Sequence, residues 1–72
     1  MRIRLVNIET YEKFYVEDYN EAKEFLLDVY NIVHMYNKKI KMTDILDQYE
    51  IYGLTIVGTV DLYNELINII ME

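Results

Sequence analysis

The sequence predicts a small α+β domain of order β-β-α-α-β-α, with its helices packed on one face of a short antiparallel sheet. Three observations lead there. Apolar residues alternate with polar ones over residues 2–8 and again over 13–17, they recur every three or four positions from Ala22 to Tyr36, and they do so again from Val60 to Met71. There is no internal repeat and no linker, so residues 1–72 read as a single domain.

The first strand is expected over residues 2–8. Ile3 and Leu5 point one way, and Arg2, Arg4 and Val6 the other. Residues 9–12 are polar enough to reverse the chain, though without the glycine of a tight hairpin. Residues 13–17 alternate again, with Phe14 and Val16 on one face and Tyr15 on the other between Lys13 and Glu17. A helix follows over about 19–37. Its stripe is Ala22, Phe25, Leu26, Val29, Tyr30, Val33 and Tyr36. Asp18 or Asn20 can cap it, and Glu21 and Glu24 suit the positive end of its dipole.

Thr43 is read as the cap of a short second helix with Ile45, Leu46, Tyr49 and Tyr52 on its apolar face and Gly53 as its stop. Leu54–Val57 then forms a short strand between Gly53 and Gly58. The competing reading makes 49–57 one longer strand. Thr59 is expected to cap a final helix bearing Leu62, Tyr63, Leu66, Ile67 and Ile70. Val60, Ile69 and Met71 widen its stripe beyond what one neighbour covers, so it is expected either to pack on more than one element or to meet a second chain with part of its surface.

Composition narrows the chemistry. The chain has no cysteine and no serine, and His34 is its one histidine, which excludes Ser-His-Asp and Cys-His nucleophilic schemes. Asp44, Asp47 and Glu50 lack the further ligands a firm divalent-ion site needs. Gly53 and Gly58 form neither a P-loop nor a dinucleotide fingerprint. No enzyme activity, metal or cofactor is therefore expected.

The net charge of −6 is unevenly spread. Residues 1–8 carry Arg2 and Arg4 and no acid, Lys38, Lys39 and Lys41 form a second basic cluster, and residues 42–72 hold six acids against no base. That balance opposes nucleic-acid and anionic-membrane binding. No apolar run reaches the length of a bilayer span, and the first nine residues lack the apolar core of a signal peptide, so the cytoplasm is expected. Phe, Tyr, Met, Ile, Asn and Lys make up 35 of 72 residues and Gly, Ala, Arg and Pro only five, a codon bias pointing to an AT-rich genome such as a low-GC bacterium, its phage or prophage.

Five residues are candidates for an interface: Tyr11, Tyr15 and Tyr19 around the hairpin, and Ile69 and Met71 on the last helix. Tyr30, Tyr36, Tyr49, Tyr52 and Tyr63 are expected to pack in the core. The function expected is that of a small, acidic, non-enzymatic protein-interaction or regulatory protein, bound to a protein partner or to a second copy of itself. Two alternatives are an inhibitor that mimics DNA through Asp44, Asp47 and Asp61, and a small helix-turn-helix regulator.

Overall fold

The computed structural model describes residues 2–71; the side chain of Met71 lies outside the described residues. Strands β1 (Ile3–Asn7) and β2 (Lys13–Val16) precede helices α1 (Tyr19–Tyr36) and α2 (Met42–Leu46); strand β3 (Tyr49–Tyr52) and helix α3 (Ile56–Met71) complete the fold. This is the expected β-β-α-α-β-α order. The sheet runs β2-β1-β3, with both neighbours antiparallel to the central strand.

Alternation in β1 sets the two faces of the sheet. Ile3 and Leu5 are buried against the helices, and Leu5 stands between its cross-strand partners Phe14 and Ile51. The helices answer with Ala22, Leu26 and Tyr30 from α1, Met42, Ile45 and Leu46 from α2, and Leu62 and Leu66 from α3. Phe14, Phe25 and Tyr49 add a cluster with ring centroids 4.9 to 6.5 Å apart.

The hairpin turn is built without glycine. The Asn7 side-chain oxygen accepts hydrogen bonds from the backbone N–H groups of Glu9 and Thr10 at 2.9 and 3.1 Å. Tyr11 absorbs the reversal at φ 64, in the left-handed region that favours glycine or asparagine. At the start of α1 the Asp18 carboxylate accepts from the Glu21 N–H at 2.9 Å, fixing the cap that the sequence left between Asp18 and Asn20.

Residues 43–59 differ from the expectation. The second helix ends at Leu46, and Tyr49–Tyr52 is a strand rather than a helical face. Two-residue alternation prevails because β1 has a second edge to satisfy: Tyr49 and Ile51 turn toward the core, while Glu50 and Tyr52 turn away. Gly53 does take a positive φ, +100, but it ends a strand and not a helix. Leu54–Val57 forms no strand; Ile56 and Val57 open α3.

The caps move accordingly. Thr55, not Thr59, caps α3, its hydroxyl accepting from the Gly58 N–H at 2.9 Å. Thr59 lies inside the helix and donates its own hydroxyl to the Thr55 carbonyl. Thr43 likewise lies inside α2, whose start is closed by the Asp44 carboxylate accepting from the Lys41 N–H at 2.9 Å. Two of the five expected core tyrosines are also corrected. Tyr36 is 86% exposed at the end of α1, and Tyr52 is 44% exposed on the sheet. Among the described residues no helix is long and apolar enough to cross a membrane.

Candidate interface on the open face of the sheet

The helices build their shared core on the face of Ile3 and Leu5, with α3 packed on α1 and α2, and among the described residues the other face is left open. Alternation places Arg4 and Val6 of β1 on it, and Arg2 just before β1, with Lys13 and Tyr15 from β2 and Glu50 and Tyr52 from β3. Arg4 is the centre. Register sets it directly opposite Tyr15 on one side and Tyr52 on the other. Its guanidinium lies over the Tyr52 ring, 4.6 Å from the centroid. Arg2 stands 5.5 Å over the Tyr15 ring. These four side chains and Gly53 line a hollow of about 220 Å³.

The charges here are held but not neutralised. Arg2 meets Glu17 at 3.9 Å, with both side chains about two-thirds exposed. The Nε of Arg4 is buried without a hydrogen-bond partner. Tyr52 donates its hydroxyl to the Glu50 carboxylate. That bond, with the nearby Glu50 charge, pushes the Tyr52 phenol above its usual range, against a smaller downward pull from Arg4. Glu50 is thus turned to Tyr52, and among the described residues no ion pair engages Arg4.

The structure separates the five candidate interface residues. Tyr15 belongs to this face and is 54% exposed. Tyr11 projects from the hairpin turn, 77% exposed on a strained backbone. Tyr19 is on the helical side, donating its hydroxyl to Glu65 of α3 at 2.5 Å, and Lys23 stands 3.6 Å from the same carboxylate. Ile69 is half-exposed on α3. Met71 falls outside the described side chains.

Sequence reasoning missed Arg2, Arg4 and Tyr52 as site residues. The outward direction of both arginines was visible in the alternation of β1. Tyr52 was hidden by the helical reading of 49–52.

The Tyr19–Glu65 bond joins α1 to α3 and has a pH signature. Partial burial, the bond to Glu65 and the charges of Glu65 and Asp61 push the Tyr19 phenol up to about 12. The same bond, then Lys23, holds the Glu65 carboxyl below its usual range. A phenol whose pKa is higher in the folded state stabilises the fold fully below its unfolded value of 10.0, and that contribution disappears as pH rises toward about 12. Urea denaturation at pH 8 and pH 11 is expected to show a smaller alkaline loss for Tyr19→Phe than for the wild type.

Other groups serve the fold. His34 stacks on Tyr30 with centroids 5.4 Å apart. Asp44 caps α2, and Asp47 adds to the upward push that burial exerts on the Tyr63 phenol. Lys41 borders a second hollow, about 390 Å³, with Ile40, Met42, Thr43, Ile67 and Ile70. Among the described residues no three His, Asp or Glu side chains gather as a metal-binding group. Comparison of the chain with protein-family models, with curated proteins and with solved structures returns no match.

Proposed function

We propose that this chain is a non-enzymatic protein-interaction module that docks its partner on the open face of the sheet. One observation carries the reading: Arg4, engaged by no ion pair among the described residues, is set between Tyr15 and Tyr52 on the face that the described helices leave open. Tyrosine and arginine are the residues that most often dominate binding energy in protein interfaces, because they offer large rigid contact area together with directional donors. Self-association is the other form this proposal takes, supported by the exposed Ile56, Val57 and Val60 at the start of α3. An AT-rich source, phage or prophage, and residence in the cytoplasm belong to the same proposal and rest on composition.

The helix-turn-helix reading finds less support, since β3 stands between α2 and α3 and α3 carries no basic residue.

Site-specific photo-crosslinking tests the proposal. A benzophenone side chain at Tyr15 is expected to give a discrete adduct in the source cell, and one at Asp28 on the outer side of α1 is not. Adducts from Asp28 alone would place the interface elsewhere.

A further inference from the structure

We infer that the open face recognises an extended acidic segment of a protein, whose alternate carboxylates are taken by Arg2 and Arg4 while Tyr15 and Tyr52 flank them. This rests on the docking face proposed above and adds the chemistry of what docks there.

The argument is one of spacing and charge. Arg2, just before β1, and Arg4 within it are two positions apart along extended chain, so their Cα atoms are about 6.8 Å apart, and both side chains line the same hollow. Side chains two apart on an extended partner have the same separation. A segment with acids at alternate positions therefore places one carboxylate at each guanidinium, in a geometry suited to paired N–H···O bonds. The arginines are free to donate them. Among the described residues no ion pair engages Arg4, and Arg2 holds only the loose, exposed Glu17 at 3.9 Å. The guanidiniums stand over the Tyr15 and Tyr52 rings at 5.5 and 4.6 Å, which holds them near this face before any ligand arrives and lowers the ordering cost of binding.

A nucleic acid fits the charge pattern poorly. Its continuous run of phosphates needs a run of cations, and here Glu17 and Glu50 border the two arginines and interrupt one.

The test is fluorescence anisotropy with a labelled peptide of alternating glutamate and valine, its glutamine counterpart, and hexathymidylate. The glutamate peptide is expected to bind and to weaken with salt. The glutamine peptide, Arg2→Ala and Arg4→Lys are each expected to lose about tenfold, the range of one charge-assisted hydrogen bond. Arg2→Ala removes an exposed side chain, and Arg4→Lys keeps the charge, so both are expected to fold. Equal binding of the glutamate and glutamine peptides would overturn the inference. So would binding that neither arginine change affects, or tighter, arginine-dependent binding of hexathymidylate. Failure of the glutamate peptide alongside intact crosslinks from Tyr15 would also overturn it, while leaving the docking face in place.

Discussion

Gly53→Ala is expected to be among the most damaging single substitutions in this protein, lowering unfolding stability by about 3 kcal/mol. Gly53 has φ +100, a conformation L side chains rarely adopt. A Cβ there would stand 2.7 Å from the Arg2 carbonyl oxygen and 3.2 Å from the Ile3 Cα. Both obstacles are backbone, so no side-chain rotation relieves them. Relief requires β1 to shift at the end where it carries Arg2, and that shift opens the hollow on the sheet. The substitution is therefore expected to reduce stability and acidic-peptide affinity together. Urea denaturation and peptide anisotropy on one sample check both. A stability change under about 0.5 kcal/mol, the ordinary range for a surface substitution, would show that the turn is not strained as described.

Leu5→Ala is expected to cost a similar amount, about 3 kcal/mol, for a different reason. Leu5 is fully buried, in the central strand, with Phe14 and Ile51 opposite it on the two neighbours. Truncation leaves a cavity that the sheet cannot close, since hydrogen bonds on both sides hold β1 in place. A domain of this length sits near the lower end of the usual 5 to 15 kcal/mol, or about 5. The chain has no cysteine with which to offset the loss. Either variant is thus expected to be partly unfolded at 37 °C. Ile69→Ala, at a half-exposed position on α3, serves as the control and is expected to lose under about 1 kcal/mol. Denaturation midpoints and slopes of all three separate a stability change from a loss of two-state behaviour.

How well each region reads from sequence follows from how local its determinants are. β1, β2 and α1 were legible because each carries its own periodicity, and Asp18 marks the start of α1 with a bond made three residues away. Residues 43–59 were not. Tyr49 and Tyr52 are three apart and suit a helix, while Tyr49 and Ile51 are two apart and suit a strand. What decides between them is the free edge of β1, more than 40 residues earlier in the chain. Gly53 signalled a stop to either element.

The site was half legible for the same reason. The outward side of β1 and β2 displays Arg2, Arg4 and Tyr15 once the alternation is followed. Tyr52 joins them only when β3 pairs with β1. Tyr19 misled because its position at the hairpin's exit resembles an exposed one, whereas Glu65, 46 residues on, engages its hydroxyl.

The central claim, that the uncovered sheet face is where a partner binds, is tested most directly by amide chemical-shift mapping with the acidic peptide. The shifts are expected to be confined to Arg2–Val6, Lys13–Val16 and Tyr49–Gly53. Shifts centred instead on Ile40–Thr43 and the C-terminal half of α3, with the sheet unmoved, would contradict it.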